Sequence, residues 1–138
     1  MLSARHRFID TNIFLRFLTE DLPAQADRCA ALVQRLRDGE EVVSMSPLAV
    51  AEIVWTLERF YKLSKAEVAA KVSPLLKLRG LRVANKAVFL RALVLFAEKN
   101  ISFTDAYIAV QMERAGVEEL YSYDRDFDRV EQVKRIEP

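Results

Sequence analysis

Short apolar runs of strand length alternate with longer segments patterned as helices along this chain, and that alternation leaves room for few folds. Only three glycines and four prolines interrupt the 138 residues, which favours helices. Arg7-Phe8-Ile9-Asp10 reads as a first strand, with helices expected over 12–19 and, after Pro23, over 24–37. Residues 41–44 (EVVS) are the second strand. Ser46-Pro47 pairs a capping hydroxyl with a first-turn proline and opens a helix to about Phe60. Ser64-Lys65-Ala66-Glu67 matches a capping box for the next helix. Pro74 is expected to kink or restart that helix, and Gly80 to end the segment. Residues 81–83 read as a third strand, and Asn85 as the cap of a helix through Lys99. A further helix opens around Phe103 to Asp105 and stops at Gly116, before strands over 119–123 and 132–136. A parallel sheet covered by helices on both faces accounts for the order. Ligands of such sheets sit where strands end and the chain turns into helices.

Hydrophobic residues make up 51% of the chain and charged residues 30%, a globular composition at a length that buries a core without staples. No repeat, low-complexity tract or Gly/Ser linker marks a boundary, so 1–138 reads as a single domain. Cys29 is the only cysteine, which excludes an intrachain disulfide and a cysteine-rich zinc cluster and suits a reducing cytoplasm. His6 is the only histidine, leaving Ser-His-Asp, Cys-His and His-rich metal chemistries almost without material. The chain starts with Arg5 and Arg7 around His6 instead of a signal peptide's apolar stretch, and no uncharged apolar run is long enough to span a bilayer. Net charge is +1, so a nucleic-acid partner must be held by a local patch.

Four carboxylates stand where that topology places chemistry. Asp10 ends the first strand; it is open to use as an N-cap, although Thr11 and Asn12 would cap equally well. Glu52 is the only charge between Met45 and Leu57, costly to bury unless it reaches water or a partner such as Arg59 on the same helix face. Asp105 is a lone charge at a helix start, where Ser102 and Asp105 also fit a capping box. Asp124 follows a strand and is open to use as a turn aspartate beside Arg125, Asp126 and Asp128. In a parallel sheet these positions can converge on one edge. Clustered carboxylates raise one another's pKa unless a cation neutralises them, and oxygen-only ligands select Mg²⁺ or Mn²⁺ over zinc. Such an ion suits hydrolysis of a nucleic-acid phosphodiester.

Four segments resemble the motifs of PIN-domain nucleases: Phe8-Ile-Asp-Thr-Asn-Ile-Phe-Leu-Arg-Phe-Leu, Leu48-Ala-Val-Ala-Glu-Ile-Val-Trp, Phe103-Thr-Asp-Ala-Tyr-Ile-Ala and Tyr121-Ser-Tyr-Asp-Arg-Asp-Phe. They follow the family's order from Phe8 to Phe127, and the likeness is greatest to the VapC-type toxins of bacterial and archaeal toxin–antitoxin pairs. The resemblance implies an α/β fold, a three-layer α/β/α sandwich around a central, mostly parallel sheet of four to five short strands. It implies an endoribonuclease in which Asp10, Glu52, Asp105 and Asp124 bind Mg²⁺ or Mn²⁺ and activate water. Asp126 is an additional acid whose involvement varies, and Asn12 and Ser122 match the polar positions that support the first and last aspartates. An RNA substrate, a cytoplasmic location, a homodimer and a cognate antitoxin whose tail covers the site follow from the same likeness. Tyr123 stands where phenylalanine is common, and no acidic position is replaced.

Arg16, Arg59, Lys62, Arg125 and Arg129 are candidates for holding phosphate. Phe14, Phe17, Trp55 and Phe60 recur at roughly helical spacing and are expected in a core or dimer interface rather than as base-stacking platforms. Three other functions compete. A non-catalytic PIN module for RNA or protein binding would tolerate loss of Asp10 or Asp105. A receiver-like phosphoacceptor wants adjacent acids after the first strand, where Thr11-Asn12 stand. A haloacid-dehalogenase-like phosphatase wants a second aspartate at the position of Asn12. A housekeeping RNA-processing enzyme is the alternative within the nuclease class, and the short, undecorated domain favours the toxin.

Overall fold

A computed structural model describes residues 6–138, so Arg5 lies outside the described residues. The chain runs β1 (Arg7–Phe8), α1 (Thr11–Thr19), α2 (Pro23–Asp38), β2 (Val43–Met45), α3 (Pro47–Arg59), α4 (Lys65–Leu76), β3 (Leu81–Val83), α5 (Lys86–Glu98), α6 (Phe103–Ala115), β4 (Glu119–Tyr121), a 3₁₀ turn (Arg125–Arg129) and β5 (Lys134–Ile136). This is the mixed α/β, parallel-strand architecture expected of a PIN-like fold.

Strands β1, β2 and β3 lie side by side in that order and all run parallel. Phe8 faces Ser44, and Met45 faces Val83. Strands β4 and β5 form a second parallel pair, with Glu119 opposite Lys134. The expected central sheet is therefore divided into two groups, because strands of two or three residues close so few ladder bonds. Pairing continues past the strand ends in single bonds: Ile9 N–H donates to the Ser44 carbonyl at 2.9 Å and Ser122 N–H to that of Ile136 at 3.0 Å. Strand β2 begins later than the sequence indicates and takes in Met45.

The helices hold these short strands in place. α5 packs on both α4 and α6, α1 on α2, and α3 against α1, α4 and α6. Phe14, Leu36, Ile53, Leu57, Leu81, Leu93 and Phe96 are fully buried members of one apolar cluster. Each such side chain contributes about 1.5–3 kcal/mol by leaving water.

Local signals set most of the helix limits. Ser46 caps α3, its hydroxyl accepting from Leu48 N–H, with Pro47 in the first turn. Gly116 ends α6 in the left-handed conformation at φ 71°. Three expectations need correction. Pro74 does not restart the helix, since α4 continues through it to Leu76 and the proline sits in the last turn. Asn85 occupies the N-cap of α5 but is left-handed at φ 62°, and its side chain caps nothing. Gly80 does not terminate a helix. It is buried against β2, its N–H donating to Leu36 and its carbonyl accepting from Val43, both at 2.8 Å. A Cβ there would lie 2.0 Å from the Glu41 carbonyl oxygen. Gly80→Ala should therefore lower the urea midpoint at an unchanged m-value, by the equivalent of about 1–3 kcal/mol.

The capping box of α4 is complete: Ser64 Oγ accepts from Glu67 N–H at 3.1 Å, and Glu67 accepts from Ser64 N–H at 3.2 Å. The Ser64 backbone N–H first and the Ser64 hydroxyl second hold the Glu67 carboxyl below its ordinary value. Its stabilisation is thus present above the ordinary glutamate range and lost as pH falls through the lowered value. Ser64→Ala should lower the melting temperature more at about pH 7 than at about pH 3, as thermal scans at both would show.

Candidate active site

Two serine–acid pairs open helices in this chain, and they behave differently. Ser64 and Glu67 bond reciprocally. At the start of α6 only one half of the box forms, Ser102 Oγ accepting from Asp105 N–H at 3.1 Å. The Asp105 carboxylate faces Asp124 and Asp126 instead.

Those two aspartates are delivered by a pair of nested turns after β4. Ser122 Oγ accepts from Asp124 N–H at 3.0 Å, and Asp124 Oδ1 accepts from Asp126 N–H at 2.9 Å. The buried Phe127 ring anchors the 3₁₀ turn that follows. Asp105, Asp124 and Asp126 each place a carboxylate oxygen within 4.8 Å of the other two.

Arg129 ties the two segments together. Its guanidinium lies 3.4 Å from Asp126 Oδ1 and donates to the Asn100 carbonyl at 2.5 Å, just ahead of α6. Even so, negative charge is in surplus. The Asp105 carboxyl is pushed above its ordinary value by burial first, then by the charge of Asp124, with Asp126 adding to it; the Ser102 hydroxyl offsets only part of this. Three oxygen donors, two of them (Asp105 and Asp126) partly withdrawn from water and all under mutual repulsion, suit a hard divalent cation. The nitrogen and sulfur donors are engaged elsewhere: His6 Nε2 lies 2.9 Å from Ser44 Oγ, and Cys29 is buried in α2.

Asp10 and Glu52 stand outside this 4.8 Å group. Asp10 occupies the N-cap of α1 without capping it, so its exposed carboxylate is not spent on the helix. Glu52 is exposed on α3 and, among the described residues, has no ion pair with Arg59 or any other cation. Strands β1 and β2 are parallel, so Asp10 and the helix carrying Glu52 both follow strand ends at one edge of the sheet.

The supporting residues divide similarly. Ser122 holds the Asp124 backbone, whereas Asn12 is exposed and makes no side-chain hydrogen bond among the described residues. Arg16 donates to Gln25 at 3.1 Å. Arg59, Lys62 and Arg125 are exposed. Arg129, a phosphate candidate by its sequence position, is paired with Asp126. The i,i+3 spacing of Asp126 and Arg129 is the local signal for that pair. Phe14 lies in the core and Phe17 packs against it, while Phe60 is 74% exposed.

A sequence model of the PIN domain matches residues 7–133, and the chain belongs to that family. More particularly, it is similar to the VapC ribonuclease of Aquifex aeolicus (strain VF5), 22% identical over 124 residues that cover 90% of this chain and 91% of that protein.

Mutual repulsion at the site makes a prediction about stability. Asp105→Asn keeps the backbone bond to Ser102 and removes one of three crowded charges, so the variant should melt at a higher temperature than wild type in EDTA at neutral pH. An equal or lower melting temperature would show that the carboxylates are not in conflict.

Proposed function

We propose that this protein is a metal-dependent endoribonuclease that hydrolyses RNA phosphodiester bonds and acts as the toxin of a toxin–antitoxin pair. The observation that carries the reading is the meeting of Asp105 with Asp124 and Asp126 in a chain of the PIN family. Likeness to a VapC ribonuclease along nearly the whole of both chains favours the toxin over a housekeeping enzyme.

In this reading Asp105, Asp124 and Asp126 hold Mg²⁺ or Mn²⁺, and Asp10 and Glu52 complete the acidic set. When bound, the ion supplies a water of lowered pKa and offsets charge on the phosphodiester. The chain does the positioning. The turns at Ser122 and Asp124 fix two carboxylates, α6 presents the third, and Arg129 restrains Asp126. Asp10 and Glu52, unspent on caps or ion pairs, are free to accept hydrogen bonds from the attacking water. Arg59, Lys62 and Arg125 supply exposed positive charge for the RNA backbone.

A homodimer and a cognate antitoxin complete the proposal. The surface suited to a second copy is an apolar cleft of about 330 Å³ between α3 and α6, where Leu48 is 78% and Trp55 36% exposed. A cytoplasmic location fits the single, unpaired Cys29. Among the described residues no helix is long and apolar enough to cross a membrane.

The test is cleavage of a labelled RNA pool with Mg²⁺, Mn²⁺ or EDTA. Cleavage should require the ion and fall roughly 10²–10⁴-fold in Asp10→Asn, Glu52→Gln, Asp105→Asn and Asp124→Asn. Mn²⁺ should also raise the melting temperature of wild type more than that of Asp105→Asn. Cleavage that persists in EDTA, or is equal in the variants, would sink the proposal.

A further inference from the structure

Strand β3 ends at Val83, and the chain turns through Ala84 and Asn85 into α5. Two cations flank this turn. Lys86 Nζ donates to the Leu81 carbonyl at 2.6 Å, which draws its ammonium back along the strand and leaves it half-buried. Burial first, and the neighbouring Arg82 charge second, push the Lys86 pKa below its ordinary value. Neither cation has a carboxylate partner among the described residues, whereas Arg35, Lys65, Arg129, Lys134 and Arg135 all do. The first turn of α5 adds no acid. Two like charges are therefore held together, one of them partly out of water, with no compensation from these residues.

Both cations line an open cavity of about 600 Å³ shared with Phe8, Ser44 and Ser46. Phe8 is 74% exposed, with the His6 ring edge-on to its own at 5.9 Å. Ser46 Oγ accepts from Leu48 N–H at 3.2 Å, which leaves its own proton to donate. Positive charge, hydroxyl groups and an open aromatic face suit a nucleotide: phosphate for the cations and a base for the ring. A carboxylate ligand would leave Phe8 without a role.

The location fits an extended strand of RNA. Because β1, β2 and β3 run parallel, the cavity opens at the edge where β1 ends before Asp10 and Ser46 begins the helix of Glu52. β3 is two strand spacings from β1, about 10 Å, so a group held by Arg82 and Lys86 lies beside the acids, not among them.

We propose that this cavity is a phosphate subsite for the RNA strand, in which Arg82 and Lys86 neutralise one backbone phosphate away from the scissile bond and Phe8 stacks on the adjoining base. The inference rests on the ribonuclease reading above and names residues outside the acidic set.

The test is the affinity of a labelled single-stranded RNA in EDTA across a salt series. Arg82→Glu reverses an exposed charge without disturbing the core, and Lys86→Gln retains a donor for the Leu81 carbonyl; thermal melting confirms that each is folded. The dissociation constant should rise about tenfold in Arg82→Glu. The slope of log affinity against log salt should fall by about 0.7, the value for one lost contact to single-stranded phosphate. Phe8→Ala should weaken binding with the slope unchanged. In parallel NMR titrations, RNA should move the Lys86 and Ala87 amides at far lower concentration than inorganic phosphate.

Wild-type binding matched in affinity and slope by both charge variants would overturn the subsite and leave the nuclease standing. Amides that respond to phosphate but not to RNA would overturn it in favour of a small-anion site. A wild type that neither binds nor cleaves RNA would remove the ribonuclease reading and the subsite with it.

Discussion

Among the described residues no strand is longer than three residues, and β1 has two, so the sheet cannot hold itself together. Each ladder bond is worth about 0.5–1.5 kcal/mol net, and each short pairing closes only a few. The strands stay parallel and in register because the helices around them share one apolar cluster. Functional groups at strand ends are therefore positioned by helix packing more than by the sheet. α6 shows this directly. Phe103, at its first position, packs 5.9 Å from Phe96 edge to face and 6.1 Å from Phe89 in a stack, and Ile101 is buried just before it. Asp105 follows within the same turn. On the other side Phe127 and Val130 are buried on either side of Asp128 and Arg129. Apolar anchors thus flank the acids and hold them against their own repulsion.

The two serine–acid pairs show how one local motif serves opposite ends. Glu67 closes its capping box and its carboxyl is held low, which stabilises the helix start. Asp105 leaves its box half made and meets two other carboxylates, which pushes its carboxyl up. Stability is given up at Asp105 for a group poised toward a cation, the pattern expected where local rules yield to a site. Asp10 repeats the theme more simply, occupying an N-cap where its side chain makes no capping bond.

Unbalanced charge of the opposite sign recurs at the open end of β3, where Arg82 and Lys86 crowd one another. With a net charge of +1, the chain has no global field to draw in a polyanion. On the proposed ribonuclease reading, affinity for RNA would then depend on where individual cations are left uncommitted. Arg35, Lys65 and Arg135 are used up in ion pairs, and Arg129 is used to restrain Asp126. What remains at the sheet edge is a small set that includes Arg82 and Lys86.

Much of this was legible in the residues. Ser46-Pro47, Ser64 to Glu67 and Gly116 mark helix limits through local geometry, and the structure places them as read. The strands at both ends of the chain are shorter than their apolar runs, because such a run looks the same whether or not a neighbour pairs with all of it. Gly80 looked like punctuation and proved to be a close approach between two backbones, since only the partner strand reveals what a Cβ would strike. Asp126 and Arg129 were visible as charges but not in their roles. The sequence by itself determined the order and kind of elements and supplied the acids, because hydrophobic period, capping and turn chemistry act over a few residues. Only the tertiary structure decided that Asp105 meets Asp124 and Asp126 while Asp10 and Glu52 stand apart, and that Arg129 is a tether. Distances between carboxylates depend on how helices pack and turns fold across the whole chain, and no local pattern encodes them.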